Sequence, residues 1–346
     1  MSAHATDSPE NLQTAVMTVV RNEMDVLPMW LAHTRALVDH IYIVDHLSED
    51  GTLEYLRAWS AEDPNVRVYT YRDHGYDKPR IIRTLRFLIL EETAADWLLQ
   101  LDPDEFLPHV SRAEFHGAIR DRHVGEMVRY RWRNALPVAP GPIHESTRLR
   151  CQKRPGGLGK IVISRAIASE PSIDLPRGAH TIWHRERGKL APIDGGELIH
   201  IPFRSLEQAW AKAIRGVLIA LRVNQSGLEG VINWQYASLL DHLAEKPHWD
   251  TVLRLVLNYG ERDRKGWVRS DRAEGEIAAE FEPRSLPVAA EVPDSLWPTG
   301  QSVSRATTVP FEQLRGKEPY RSFLTELLAL NHDNRIGLSD RFEARW

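Results

Sequence analysis

The chain has 346 residues, of which 44 are Lys or Arg and 48 are Asp or Glu, giving a formal charge of −4. This near balance excludes a generally basic nucleic-acid binder. The single cysteine, Cys151, excludes a disulfide framework and a zinc site built from cysteines.

Targeting signals are missing from the sequence pattern. No apolar run approaches the roughly 18 residues that a membrane span needs. The polar first 13 residues lack the basic start and apolar middle of a secretion signal. We therefore predict a cytoplasmic protein, and peripheral attachment to a membrane stays open.

Short apolar runs alternate with longer amphipathic stretches over the first hundred residues. The runs predict buried strands, and the stretches between them predict helices. The predicted strands are 15–20, 41–44, 66–71 and 97–101, and the predicted helices are 26–37, 53–59 and 81–93. This alternation predicts an α/β fold in which a mostly parallel sheet is flanked by helices on both faces.

The pattern changes after Phe106. Residues 127–132 alternate as in a strand, and 161–164 predict another. Beyond Ser205 helical periodicity dominates, with an irregular segment at 270–303. The helices predicted there are 206–221, 231–244, 249–259 and 320–330. We therefore predict an α/β domain over residues 14–205 and a mainly helical C-terminal extension over 206–346.

Charged residues follow three of the predicted strands. Arg21-Asn22-Glu23 follows the first strand, Asp45 ends the second, and Asp102-Pro103-Asp104-Glu105 follows the fourth. Ligands of open parallel sheets bind beyond the carboxyl ends of the strands. The sequence therefore predicts that the ligand-binding and catalytic residues lie at this edge of the sheet.

Asp102 and Asp104 are the most distinctive pair at that edge. In extended backbone, residues two apart project to the same side, so the two carboxylates can converge on one cation. Carboxylates together with water and phosphate oxygens form a site suited to Mg²⁺ or Mn²⁺. This spacing alone is a weak signal, and a solvated turn is the alternative interpretation.

Five short segments occur in order: VVRNE from Val19, LPMWLAH from Leu27, DHIYIVD from Asp39, SEDGT from Ser48 and LDPDEFL from Leu101. Together they resemble the family 2-type glycosyltransferases with a GT-A fold, particularly the branch whose acidic motif reads D-x-D-E-F. The resemblance covers about residues 14–110. It continues less securely through Lys160, residues 178–180 and residues 200–205.

The resemblance implies a hexosyltransferase that takes a sugar from a UDP- or GDP-linked donor, as in polysaccharide biosynthesis. Residues 14–205 would form the nucleotide-sugar-binding catalytic domain, and Mn²⁺ or Mg²⁺ would neutralise the leaving diphosphate. The implied metal ligands are Asp102, Asp104 and a late histidine, His200, with His180 as the alternative.

The resemblance also implies a set of residues at the strand ends that bind the nucleotide sugar. Each has a plainer alternative: a salt bridge for Arg21 and Glu23, a helix cap for Asp45, and a solvated helix charge for Arg83. The implied donor-binding residues are Arg21, Glu23, Asp45, Arg83 and Asp102.

An inverting reaction needs a carboxylate, or occasionally a histidine, beside the acceptor hydroxyl. The family often takes it from a Glu-Asp pair downstream of the metal motif, but this sequence has no such pair after residue 105. The candidates for the base are therefore Glu145 and Asp194, with Glu197 beside the latter.

The acceptor is expected to be a glycan or a lipid-linked molecule. Arg129, Arg131 and Arg133 share one side of a predicted strand, which favours an anionic acceptor, although a solvated sheet face is the alternative. Two rival functions stay open: a catalytically silent module that binds sugar nucleotides or glycans, and a nucleotidyltransferase. The second would more often carry a glycine-rich loop near its first strand.

Overall fold

A computed structural model describes residues 12–72, 78–120, 127–175, 178, 180–225, 234–257, 259 and 279–287. The helices are α1 (Leu27–Leu37), α2 (Thr52–Glu62), α3 (Lys78–Glu92), α4 (Arg112–Arg120), α5 (Arg165–Ser169), α6 (Leu206–Gln225), α7 (Trp234–Glu245) and α8 (Trp249–Leu257). The strands of the main sheet are β1 (Thr14–Val20), β2 (His40–Asp45), β3 (Val66–Thr70), β4 (Trp97–Gln100), β5 (Glu105–Phe106), β6 (Met127–Pro137), β7 (Arg148–Gln152), β8 (Gly159–Ser164), β12 (Ile193–His200) and β13 (Phe281–Ser285). A separate small sheet holds β9 (Ile173–Asp174), β10 (Ile182–His184) and β11 (Gly188–Leu190).

The main sheet is parallel in its N-terminal part. It runs β13-β7-β6-β8-β4-β1-β2-β3, and β4, β1, β2 and β3 pair in parallel, as the alternating pattern predicts. From β4 outward, β8, β6, β7 and β13 pair antiparallel. The expected α/β fold class is confirmed, with this antiparallel part added to the parallel one.

Helices cover both faces of the parallel part. Alternate residues of β1 point to opposite sides: Val16 and Val20 pack in the core with α1, α2 and α4, whereas Met17 and Val19 pack with α3 and α5. Trp30 of α1 is fully buried on the first side and Leu85 of α3 is buried on the second. The helices of both cores therefore fix the strand ends where the charged residues lie.

The C-terminal extension was predicted to be helical, and α6, α7 and α8 agree with the predicted helices to within a few residues. Their core also contains Leu136 of β6 and Phe281 of β13. In the described part of the chain, no helix has the length and apolar character to span a membrane. The helix predicted at 320–330 lies outside the described residues, and the domain boundary at 205 stays a prediction.

One part of the segment predicted to be irregular is instead a strand. β13 pairs with β7 along its whole length, from Phe281 opposite Gln152 to Ser285 opposite Arg148. Its sequence contains Pro283 and no alternation of apolar residues, so the local pattern does not predict a strand. The strand forms because β7 would otherwise be an open sheet edge with unpaired backbone groups.

Candidate functional site

The acidic motif lies where three strands meet. β4 ends at Gln100, and the chain then turns so that β5 pairs antiparallel with β12, placing His200 opposite Glu105. The Ile201 amide donates to the Asp104 carbonyl at 2.7 Å, which fixes the two segments to each other. This register brings the predicted late histidine to the predicted metal motif.

Asp102 is held by two lysines. Lys78, the first residue of α3, donates to Oδ1 at 2.6 Å, and Lys160 of β8 donates to Oδ2 at 2.7 Å. The Lys160 side chain is only 1% exposed, so this ion pair is shielded from solvent on the lysine side. Although burial opposes ionisation, the two ammonium groups hold the pKa of Asp102 well below its usual range.

Asp104 has a different environment from Asp102. Its Oδ2 accepts from Lys212 of α6 at 2.8 Å, and its Oδ1 lies 3.9 Å from His200 Nε2. Burial works against the charge of Asp104, but Lys212 and other nearby cations outweigh it and lower its pKa to about 2. Asp104 is therefore a carboxylate with one oxygen directed at an imidazole nitrogen.

The His200 ring is held in one tautomer. Nδ1 lies 2.8 Å from Asn134 Oδ1, while Asn134 Nδ2 donates to the carbonyls of Val256 and Tyr259 at 3.3 and 2.7 Å. Because carbonyls only accept, the Asn134 amide nitrogen must face them, and its oxygen accepts from a protonated Nδ1. The lone pair of neutral His200 is then on Nε2, facing Asp104. Burial lowers the pKa of His200 to about 3, which keeps the ring neutral.

Glu105 is completely buried and lies next to Asp104 in the chain and opposite His200 in the sheet. Its Oε1 accepts from the Trp132 indole at 2.7 Å, and its Oε2 accepts from the Asp102 amide at 2.8 Å. Burial raises the pKa of Glu105 to about 8. The Trp132 ring stacks on His200 with centroids 4.1 Å apart, so one side chain supports both residues.

A divalent cation fits this arrangement. Among the described residues, Asp104, Glu105 and His200 offer ligand atoms that all lie within 4.8 Å of one another. Carboxylate oxygens together with a neutral imidazole suit Mn²⁺. The oriented Nε2 and the facing Asp104 oxygen are the two best placed donors, because both Glu105 oxygens already accept hydrogen bonds.

At the end of β1, Glu23 faces an arginine rather than open solvent. The fully buried Arg204 forms an ion pair with Glu23 and donates to both oxygens of Asp25 at 2.8 and 2.9 Å. Burial raises the pKa of Glu23 despite that arginine. The carbonyl of Arg21 accepts from Arg215 of α6 at 3.0 Å, so α6 also reaches this strand end.

The loops after β1 and β2 are joined through Asn22. Asn22 has a φ of 54°, a left-handed conformation that asparagine tolerates. Its amide donates to Ser48 Oγ at 2.9 Å, and its Oδ1 accepts from the Glu49 amide at 2.8 Å. These bonds bring the ends of the two strands together.

Asp45 is buried at the end of β2. Its Oδ2 accepts from the Ser48 amide at 3.3 Å, whereas its Oδ1 has no hydrogen-bond partner among the described residues. Asp45 does not cap α2, whose N-cap residue is Gly51. A buried carboxylate oxygen without a donor is costly, and a ligand N–H or O–H would satisfy it.

Three predicted site residues lie apart from this cluster. Arg83 pairs with Asp174 at 3.0 Å on the surface, and Glu145 is exposed in the loop between β6 and β7. Asp194 is the second residue of β12 and pairs with Arg131, about 20 Å along the strand from His200. His180, the alternative ligand, donates from Nδ1 to the Gly159 carbonyl at 2.7 Å and packs its ring against Trp132.

The sequence reasoning did not identify the residues that support the acids. Lys160 directly precedes the predicted strand 161–164, and Lys212 lies in a predicted helix where lysines are normally solvated. Trp132 ends the predicted strand 127–132, and Asn134 lies just beyond it. Two signals were available, a charged residue adjoining an apolar strand and the continuation of the resemblance beyond residue 110, and both applied to Lys160 alone.

No protein-family model and no curated protein matches the chain. Solved structures that share a likeness include a mannosyltransferase from Pyrobaculum calidifontis in complex with GDP-Man and Mn²⁺, at 13% identity over 95% of this chain and 88% of that chain, with a TM-score of 0.39. Residues 1–349 of TarS from S. aureus follow at 10% identity, 78% of each chain and a TM-score of 0.36. Glucosyl-3-phosphoglycerate synthase from Mycobacterium tuberculosis, with Mn²⁺, UDP and glucosyl-3-phosphoglycerate, has 14% identity over 66% of this chain and 88% of that chain, with a TM-score of 0.36. Structural similarity at this level assigns neither a fold nor a function to this chain. Its α/β fold is assigned from its own strand order and register.

Proposed function

We propose that the chain is a metal-dependent glycosyltransferase with a GT-A fold that moves a sugar from a UDP- or GDP-linked donor to a glycan or lipid-linked acceptor. The ordered motifs of residues 14–110 carry the family resemblance. The observation that supports the chemistry is the pairing of Asp104 Oδ1 with the Nε2 of a tautomerically fixed His200, 3.9 Å apart at the carboxyl ends of the strands.

In this proposal Asp104 and His200 hold Mn²⁺ or Mg²⁺. The bound cation supplies positive charge that neutralises the departing nucleoside diphosphate. Asp45, whose buried Oδ1 has no hydrogen-bond partner in the described part of the chain, accepts a hydrogen bond from the base or ribose of the donor. Asp102 acts through the two lysines that it orients.

We further propose an inverting reaction in which a carboxylate accepts the proton of the acceptor hydroxyl as the sugar moves. Glu145 is the better candidate for this base. The Ile143 amide donates to the Asp25 carbonyl, after β1, and the Gly141 amide donates to the Arg204 carbonyl, after β12, both at 2.8 Å. These bonds hold the loop of Glu145 near the ends of the two strands. Asp194 lies at the opposite end of β12 from His200.

The described contacts do not favour an anionic acceptor. Arg131 pairs with Asp194, and Arg133 pairs with Glu197 at 2.7 Å and Glu282 at 3.0 Å. Two of the three arginines on this strand are therefore already neutralised. The proposed acceptor is a glycan or a lipid-linked molecule without a required charge.

We also propose that residues 14–205 form the catalytic domain and that the extension from residue 206 completes the site. Lys212 binds Asp104, and the carbonyls of Val256 and Tyr259 orient Asn134. Removal of the extension is expected to weaken metal binding, because Asn134 would lose the carbonyls that orient it toward His200.

The test is Mn²⁺-dependent release of UDP or GDP from a panel of nucleotide sugars, with and without crude glycan acceptors. Wild type is expected to release nucleotide, and Asp104→Asn to release none while staying folded. An active Asp104→Asn variant would overturn the proposal. Nucleotide-sugar binding without turnover would favour a binding module, and pyrophosphate release from a nucleoside triphosphate and a sugar phosphate would favour a nucleotidyltransferase.

A further inference from the structure

We propose that Lys212 couples metal binding to donor binding: its ammonium neutralises Asp104 in the metal-free protein and binds the donor diphosphate once a divalent cation is present. This inference rests on the proposed function and assigns a ligand-binding role to a residue of the C-terminal extension.

The position of Lys212 supports this role. It lies on α6 and reaches the acidic motif from outside the predicted catalytic domain. Its ammonium donates to Asp104 Oδ2 at 2.8 Å and to the Pro202 carbonyl at 3.1 Å. An ammonium has three donors, and these bonds use two of them. The side chain is 17% exposed, so the group is shielded by protein but is reachable by a ligand.

Asp104 can serve a metal and Lys212 at the same time. Its Oδ1 faces His200 Nε2, and its Oδ2 faces the lysine. A cation bound to Oδ1 would lie roughly 5 Å from the ammonium, given ordinary metal–oxygen distances. Two positive charges at this separation in a buried site repel each other, and an anion that contacts both relieves the repulsion.

The charge balance of the cluster supports the same conclusion. Two acids, Asp102 and Asp104, are paired with three lysines, Lys78, Lys160 and Lys212. These pairs therefore have no excess of negative charge before any metal arrives, and a divalent cation adds uncompensated positive charge. A nucleoside diphosphate supplies the missing negative charge, so metal and nucleotide should strengthen each other's binding by the same factor.

A purely structural lysine would behave differently. If Lys212 only anchors α6 to the sheet, its removal should disturb Asp104 and weaken the binding of metal and of nucleotide alike. If its charge repels the metal at Asp104 and then binds the diphosphate, its removal should affect the binding of the two ligands in opposite directions. This opposite response is the signature to measure.

The experiment is calorimetry on the full chain, titrating MnCl₂ alone and then UDP or GDP at saturating Mn²⁺. Lys212→Met is expected to bind Mn²⁺ alone about three- to tenfold more tightly, since a nearby positive charge is gone. It is expected to bind the nucleotide on the order of ten- to a hundredfold more weakly, since a charge-assisted hydrogen bond is lost. Lys246→Met, an exposed lysine just after α7, is the matched control and should match wild type.

Equal weakening of Mn²⁺ and nucleotide, or no change in either, would overturn the role of Lys212 while the proposed function stands. A wild-type chain that binds neither Mn²⁺ nor UDP or GDP would overturn the proposed function and this inference with it. If thermal unfolding shows that Lys212→Met is not folded, Lys212→Gln, which can still donate to Asp104, undergoes the same titrations with the same expectations.

Discussion

Asp102 and Asp104 are separated by one residue, yet they have different kinds of counter-ion. Both oxygens of Asp102 are bound by lysines, one of them almost completely buried. Asp104 gives one oxygen to a partly accessible lysine and directs the other at an imidazole nitrogen. We infer that Asp102 holds the lysines in place and that Asp104 offers the metal a ligand atom.

The first prediction separates these two roles. Asp102→Asn leaves two lysines without their charged partner, which should cost about 3 kcal/mol of unfolding free energy, because breaking a buried ion pair strands a charge. Asp104→Asn should lower stability less, since Lys212 is more accessible, but should abolish Mn²⁺ binding. Urea unfolding and calorimetry measure the two effects.

Glu91→Gln, which removes an exposed carboxylate from α3, is the control and should change neither quantity. If Asp102→Asn keeps full stability but loses Mn²⁺, the assignment of the two acids is reversed.

The second prediction concerns Asn134, which fixes the His200 tautomer. Asn134→Leu removes the acceptor for the Nδ1 proton, so Nε2 is no longer held with its lone pair toward Asp104. The Mn²⁺ affinity measured by calorimetry should fall about ten- to a hundredfold, the usual effect of losing a residue that orients a metal ligand. His200→Ala should lower it at least as much. Unchanged Mn²⁺ affinity in both folded variants would remove His200 from the site.

The strands that carry the site were predictable, because their signal is local. β1, β2 and β4 are mostly apolar runs bounded by polar turns, and burial on both faces requires such runs. The acids at their ends were predictable for the same reason, since parallel strands deliver their carboxyl ends to one edge.

The counter-ions were not predictable, because they come from distant parts of the chain. Lys160 is 58 residues from Asp102, and Lys212 is 108 residues from Asp104. Nothing in a helix such as α6 distinguishes a lysine that bends inward from one that extends into water. The pairing of β13 with β7 has the same origin, since an open sheet edge specifies that a partner is needed but not which segment supplies it.

The third prediction is an acid sensitivity that originates away from the metal motif. His33 of α1 is fully buried and donates from Nε2 to the Leu107 carbonyl at 3.1 Å, and burial lowers its pKa to about 4. An unfolded chain protonates this histidine below about pH 6.5, whereas the folded chain resists protonation down to about pH 4. The unfolded state therefore binds more protons in this window, and stability falls as the pH drops through it, by about 3 kcal/mol in total.

Urea unfolding at several pH values between 7.5 and 4.5 measures this loss. The His33→Gln variant has no titratable side chain at this position. Below pH 6 its unfolding free energy should therefore depend less steeply on pH than that of wild type, and the difference in slope should correspond to roughly one proton. His144→Gln, at an exposed position, should keep the wild-type slope. Identical slopes for wild type and His33→Gln would show that His33 is not the buried neutral group described here.

The last prediction tests how closely β8 approaches β6 beside Lys160. A Cβ added at Gly159 would lie 2.1 Å from the Tyr130 carbonyl oxygen and 2.8 Å from the Arg131 Cα. Both are backbone atoms of a central strand, so they cannot move aside as a flexible side chain would. Gly159→Ala should therefore push β8 away from β6, and it should shift Lys160 from Asp102 and His180 from the Gly159 carbonyl.

The expected cost of Gly159→Ala is about 3 kcal/mol of unfolding free energy, at the upper end for an overpacked core, together with weaker UDP or GDP binding at saturating Mn²⁺. Gly157→Ala, two residues earlier, is the matched control, because nothing lies within 4 Å of a Cβ added there. It should leave nucleotide binding unchanged and alter stability by less than about 1 kcal/mol, since alanine restricts the unfolded chain more than glycine does. Equal stability of the two variants would contradict the close approach of β8 to β6, and with it the reason that a glycine directly precedes the lysine that holds Asp102.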